Sequence, residues 1–307
     1  MKACPEVTVI TVTYRSAHLV PALSAVLAQF AHVCVVDNAS DDNTIELLAA
    51  QLPHANIIRH AINLGFGAAN NAAVKTVTTP YVLLLNPDAT IDTASVEALV
   101  QALQHHPRAG IVAPQVWLPS GQAQLSYKEA FFEPSSASAY IVPEAICASK
   151  WLTGSCLLAR TQVYQQIGGF DEGFFLYYED DDLCLRMHYA GWECLLEPRA
   201  RAVHVGGGGS APSWRTELFK QYHYALSRRR MISKYLGSQA AIRYRVKTML
   251  AAFPAVLIYT LFARKKYVLK WLGWGISCLA RLKPHKEVTL LREATRRECQ
   301  SSHKMPS

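Results

Sequence analysis

Tyr81-Val82-Leu83-Leu84-Leu85-Asn86-Pro87-Asp88 joins five consecutive apolar residues to a polar turn. An uninterrupted apolar run of this length, bounded by a turn signal, reads as a strand buried on both faces. Such strands belong to parallel sheets covered by helices on either side. In those sheets ligands collect beyond the carboxyl ends of the strands, where Asp88 falls here. The pattern repeats upstream. Val7–Thr13 and Val33–Val36 are short and β-branched, the second running into Asp37. Asn56–His60 is another strand. Between them the spacing predicts helices over Leu19–Phe30, Asn43–Gln51 and Ala68–Thr76, with a further helix at Val96–His105. The fold class is therefore α/β, a mostly parallel sheet with helices on both faces.

Beyond the strand at Ile111–Val116, residues 117–150 have no clear periodicity. Trp151–Arg160 then reads as one strand and Thr161–Ile167 as a helix. From Trp214 onward the chain is helical and basic. Charge divides the chain at the same place. Residues 1–214 hold 11 Lys and Arg against 19 Asp and Glu, a net −8; residues 215–307 hold 20 against 4, a net +16. Two regions are expected, 1–213 for chemistry and 214–307 for an anionic surface. With 50% hydrophobic and 18% charged residues, a disordered chain is excluded. Eight Cys without a CxxC pair disfavour a disulfide framework or a cysteine-held zinc and suit a reducing compartment. Met1 to Glu6 leads directly into a strand with no small-residue cleavage site, so no secretory leader is expected.

Asp37 follows a purely apolar strand. Its carboxylate can accept the ring N–H of uracil or thymine, or can serve as a capping or Asx-turn residue. Asn63-Leu64-Gly65-Phe66-Gly67 lets backbone approach a nucleotide, but Asn70 stands where a dinucleotide-binding loop needs its third glycine. That disfavours a nicotinamide-dependent oxidoreductase. Asp88 offers the oxygen chemistry of Mg²⁺ or Mn²⁺, whose shells are completed by phosphate and water. Glu179-Asp180-Asp181-Asp182 are four consecutive acids, eased by a helix N-terminus. Arg186 can pair with Asp182 at i,i+4. Glu179 and Asp180 have no nearby cation in sequence, and crowding raises their pKa toward that of a general base. His204, before the glycine run Gly206–Gly209, suits a metal or phosphate, or packs as an ordinary structural histidine. Trp151 and Gly154 line a sugar pocket or belong to the core.

In order, VTVITVTYRS, CVVDNASDDNT, NLGFGAANNAA, YVLLLNPDAT, WLTGSCLLAR and GGFDEGFFLYYEDDDLCLRMHYAGW resemble glycosyltransferase family 2, with its GT-A fold, across roughly residues 7–210. The subgroup is similar to bacterial rhamnosyltransferases of O-antigen and cell-wall glycans. The resemblance implies that Thr13, Tyr14, Asp37, Asn63, Gly65 and Asn86 bind the donor nucleotide. It implies Asp88 and His204 at a Mg²⁺ or Mn²⁺ site, although Asn-Pro-Asp replaces the family's Asp-x-Asp and Arg15 stands where Asn is common. It places Glu179 and Asp180 at the catalytic centre, with Asp180 the base of an inverting transfer. The implied donor is a nucleotide sugar such as dTDP-rhamnose, and the acceptor a glycan or lipid-linked glycan. Transfer from another UDP- or GDP-sugar, and a catalytically silent glycan-binding or scaffold protein, are the alternatives.

Met249–Phe262 and Tyr267–Leu282 are apolar runs split by Arg264-Lys265-Lys266, each shorter than the about 20 residues that span a bilayer. With Trp271 and Trp274 flanked by cations, they suit helices lying in the headgroup region, a re-entrant hairpin, or a packed helix pair. The expected place is cytoplasmic, peripheral on the inner face of the cytoplasmic membrane. Nucleic acid is not expected, because the aromatics lie among aliphatics and no binding motif is present. Tyr222, Tyr224 and Arg228–Arg230 suit either a lipid diphosphate or a solvated helix face.

Overall fold

The computed structural model describes residues 3–128, 140–206 and 213–282. The first half alternates strand and helix: β1 (Ala3–Thr13), α1 (Val20–Leu27), β2 (Phe30–Asp37), α2 (Thr44–Gln51), β3 (Asn56–Arg59), α3 (Phe66–Val74) and β4 (Tyr81–Leu85). It continues through β5 (Ala89–Ile91), α4 (Thr93–His105), β6 (Ala109–Trp117), β7 (Tyr127–Lys128), β8 (Cys147–Ala148), β9 (Trp151–Leu152), β10 (Cys156–Arg160), α5 (Thr161–Gln166), α6 (Glu179–Tyr189) and β11 (Glu193–His204). Three helices follow: α7 (Trp214–Leu236), α8 (Ser238–Leu261) and α9 (Lys265–Ser277).

The main sheet runs β3-β2-β1-β4-β10-β6-β11-β5, with β8 added to β11. β3, β2, β1 and β4 pair in parallel. β10 is antiparallel to both β4 and β6, and β5 and β8 are antiparallel to β11, so the sheet is mixed with a parallel majority. The unbroken apolar run of β4 has a direct cause. Leu83 and Leu85 enter one core with α1, α2 and α4, while Val82 and Leu84 enter the other with α3, α5 and α6. Alternate residues thus face different cores, and neither face meets water.

Several boundaries differ from the sequence reading. The helix predicted over Leu19–Phe30 ends at Leu27, because Phe30 is fully buried and pairs with Ala3 in the sheet. α3 begins at Phe66 rather than Ala68, because Gly65 turns the chain at φ 87° and Phe66 packs on Phe170. Trp151–Arg160 is two strands, not one. Thr153-Gly154-Ser155 breaks it, and the Gly154 amide leaves the sheet to bond a carboxylate. β11 shifts register between Glu197 and Arg201, around Pro198, which has no N–H for the ladder. Of the glycine run Gly206–Gly209, only Gly206 is among the described residues.

Leu158 sits at the centre of this sheet, opposite Leu83 on β4 and Val112 on β6, with no exposed surface. Leu158→Ala is expected to cost about 2–5 kcal/mol. Urea unfolding should show a lower midpoint at unchanged slope.

Candidate active site

Thr13 and Asp37 are partners in register at the ends of β1 and β2. The Thr13 hydroxyl donates to Asp37 Oδ1 at 3.3 Å, and the Ser40 amide donates to Oδ2 at 2.9 Å. Asp37 is fully buried and orders its own turn; each oxygen keeps a second lone pair. His60 N–H donates to the Asp37 carbonyl at 2.9 Å, so β3 ends alongside. Beside this turn opens a cleft of about 460 Å³, lined by Ala39, Ser40, Arg59, His60 and Ala61. Tyr14 is half-buried, with the Arg15 guanidinium 5.3 Å from its ring centroid, and Arg15 pairs with Asp41 at 2.6 Å. That exposed pair contributes little to stability.

The Asn63–Gly67 loop is clamped by Asn38, a residue the motifs did not single out. Asn38 Nδ2 donates to Asn63 Oδ1 at 2.8 Å and to the Gly65 carbonyl at 3.1 Å, while its Oδ1 accepts from Leu64 N–H at 2.9 Å. Gly65 is required twice over: φ is 87°, and a Cβ would collide with the Phe175 carbonyl oxygen. Phe66 N–H donates to that same oxygen at 3.0 Å. Asn70 donates to the Phe66 carbonyl at 3.0 Å and serves its own helix.

Asp88 and His204 meet where β5 pairs with the end of β11. Asp88 Oδ1 lies 3.2 Å from His204 Nε2, both side chains largely shielded from solvent. His204 Nδ1, and Oδ1 of Asn86 two residues before Asp88, are buried without a hydrogen-bond partner among the described residues. One carboxylate and one imidazole at this distance fit Mn²⁺ or Mg²⁺, provided that diphosphate and water complete the shell. Among the described residues no cluster of three His, Cys, Asp or Glu could hold a metal on its own.

The four acids open α6 as expected, after Tyr177 and Tyr178, which both take left-handed backbone at φ 69° and 67°. Asp180 Oδ2 accepts from Gly154 N–H, and Oδ1 from Asp181 N–H, each at 2.9 Å. A Cβ on Gly154 would lie 3.0 Å from Asp180 Cβ, so the glycine admits the carboxylate. Burial raises the Asp180 pKa, with those two amides and the Lys128 charge opposing. Burial and then Asp180 raise Glu179 well above the usual range. Burial and then Asp180 push Asp181 up to about 7, and Lys128 pulls it back. Lys128 Nζ is 3.3 Å from Asp181 and 4.2 Å from the Trp151 ring centroid. Trp151 therefore gives a ring face to a cation.

Asp182 pairs with Arg186 at 2.7 Å, as its spacing predicts. It also accepts from Lys234 and from Tyr235 at 2.8 Å, both on α7. Asp171, in the loop before α6, pairs with Lys234 at 2.8 Å and Arg230 at 3.2 Å. Arg229 and Arg230 are thus neither solvated nor open to a diphosphate. Arg229 is buried and donates to the Cys278 and Ala280 carbonyls.

This sheet, with its polar strand ends and acid-led helix, is the GT-A fold of nucleotide-sugar transferases. A mannosyltransferase from Pyrobaculum calidifontis, solved with GDP-Man and Mn²⁺, superposes with a TM-score of 0.54 at 15% identity, over 97% of this chain and 88% of that one. The sequence model of Glycosyl transferase family 2 matches residues 8–177, and the chain belongs to that family. The N-acetylglucosaminyl-diphospho-decaprenol L-rhamnosyltransferase of Mycobacterium tuberculosis is 29% identical over 229 residues, 64% of this chain and 75% of that protein. Rhamnosyltransferase WbbL of Escherichia coli K12 is 34% identical over 87 residues, 27% of this chain and 33% of that protein.

Asp181 holds its proton more tightly in the folded chain than an unfolded Asp, whose pKa is about 3.9. Its stabilising contribution is complete below that value and is lost as pH rises through about 7. The gain in melting temperature of Asp181→Asn over wild type should therefore grow between about pH 5 and about pH 8. A gain independent of pH would contradict this protonation.

Proposed function

We propose that this transferase inverts the anomeric carbon of a nucleotide sugar, with dTDP-rhamnose as donor and a lipid-linked glycan hydroxyl as acceptor. The observation that carries the reading is Asp180. It is a half-buried carboxylate with a raised pKa, fixed by the Gly154 amide of the β9–β10 break and the Asp181 amide of α6. The rhamnosyltransferase relatives support the choice of sugar.

Asp180 accepts the proton of the acceptor hydroxyl, and that oxygen attacks the anomeric carbon opposite the leaving diphosphate. One base suffices, because no covalent intermediate forms. Asp88 and His204 hold a divalent cation, which when bound supplies positive charge to the leaving diphosphate. The cleft at Arg59 and His60 takes the base, above the turn that Asp37 organises, and the clamped Gly65 loop brings backbone close to the nucleotide.

Asp180→Asn is expected to lower transfer by about 10²–10⁴-fold while donor binding persists. Turnover within about tenfold of wild type would remove Asp180 from the role of base. The donor is identified by hydrolysis of dTDP-, UDP- and GDP-sugars with and without Mg²⁺ or Mn²⁺; metal-independent release would count against Asp88 and His204 as ligands.

The same reading places the enzyme peripherally on the inner face of the cytoplasmic membrane, with anionic phospholipid as the partner. Among the described residues no helix is long and apolar enough to cross a membrane. α8 nevertheless shows water an apolar face at helical spacing: Val246, Leu250 (70% exposed), Phe253 (79%), Leu257 and Leu261. Residues 238–282 carry Arg243, Arg245, Lys247, Arg264, Lys265, Lys266, Lys270 and Arg281, and no Asp or Glu. Like charge opposes a second copy on this face, whereas an anionic bilayer complements it. Phe253→Glu should abolish co-sedimentation with phosphatidylglycerol vesicles and leave donor hydrolysis intact. Undiminished sedimentation would overturn the bilayer as occupant.

A further inference from the structure

Asp171 and Asp182 lie eleven positions apart, at the two ends of the segment that carries Asp180, yet one ammonium bonds both. Lys234 Nζ donates to Asp171 Oδ2 at 2.8 Å and to Asp182 Oδ1, and the Lys234 side chain is 4% exposed. Arg230 adds a second contact to Asp171, and Tyr235 a second to Asp182. All three are on α7. The segment they close is under tension, because Tyr177 and Tyr178 hold left-handed backbone without being glycine. A segment strained in this way persists only when its surroundings over-determine it. Ser227 of α7 helps by donating to the Leu176 carbonyl at 2.8 Å. Gly173 is cut to fit, since a Cβ there would strike the Arg230 guanidinium.

We propose that Lys234, with Arg230 and Tyr235, is a positioning residue for the transfer reaction. It clasps both ends of the 171–182 segment so that the left-handed turn delivers Asp180 to the Gly154 amide. Lys234 bonds Asp171 and Asp182 and acts on Asp180 through them. The basic region thereby has a second task besides meeting an anionic surface: it completes the base. The inference rests on the reading of Asp180 as that base.

The test is Lys234→Met in the full chain, with transfer turnover divided by the number of donor-binding sites from calorimetry. Expected are one donor site per chain and a donor affinity within about threefold of wild type. Turnover per site should fall about tenfold or more, the scale on which a small misplacement of a reacting group is felt. Tyr235→Phe removes one hydrogen bond and no charge, so it serves where Lys234→Met does not fold. It should lower turnover per site in the same direction by a smaller factor. Wild-type turnover per site in the folded variant overturns the proposal. So does a loss of turnover matched by a loss of donor sites, which marks a role in stability alone. Asp180→Asn measured alongside separates the two readings. An inactive Asp180→Asn beside a fully active Lys234→Met overturns the clasp only, whereas an active Asp180→Asn overturns the base.

Discussion

Between Asp171 and Asp182 six carboxylates occupy twelve residues, and Glu179, Asp181 and Asp182 among them are buried. Carboxylates so placed must be neutralised, protonated or bonded to amides, since an uncompensated buried charge is not tolerated. The molecule uses all three remedies. Asp182 faces Arg186 and Lys234, and Asp171 faces Lys234 and Arg230; burial raises the Asp171 pKa, but those two cations and the Gly173 amide outweigh it and hold the carboxyl far below the usual carboxylate range. Glu179 and Asp181 are pushed toward their neutral forms. Asp180 alone is met by two amide donors on a side chain still reachable by solvent. This sorting sets Asp180 apart from the other four, and Glu172, the sixth, is exposed.

Aromatic packing ties the sorting to the donor side. Phe175, whose carbonyl receives the Phe66 amide, stacks on His223 of α7 at 4.5 Å and meets Phe219 edge-on at 5.7 Å. Burial pushes the His223 pKa down to about 4, so the ring is neutral near pH 7 and packs as an aromatic. The Gly65 loop, the acid segment and α7 therefore form one continuous packed unit.

The sequence shows the parallel sheet because the β4 run and its neighbours leave no polar face. The acids of α6 and the Asp182–Arg186 pair are equally legible, being local. Residues that act through tertiary contact are not. Asn38 holds a loop 25 positions away, and Lys128 reaches Asp181 across more than fifty. The break at Thr153-Gly154-Ser155 has a local signal in its glycine, but its cause is a carboxylate on another element. Arg230 and Lys234 carry charge that composition assigns to a surface, yet both side chains are buried against acids. A charge count reports sign and never burial.

One ammonium serving two carboxylates also constrains how such a chain can diverge. Loss of Lys234 leaves two acids with one cation fewer, while loss of either acid leaves the buried ammonium with one carboxylate in place of two. Neutral drift at these three positions is then blocked one step at a time, and a lineage crosses only by changing them together. The acid segment and a helix about fifty residues downstream are thereby constrained to change together.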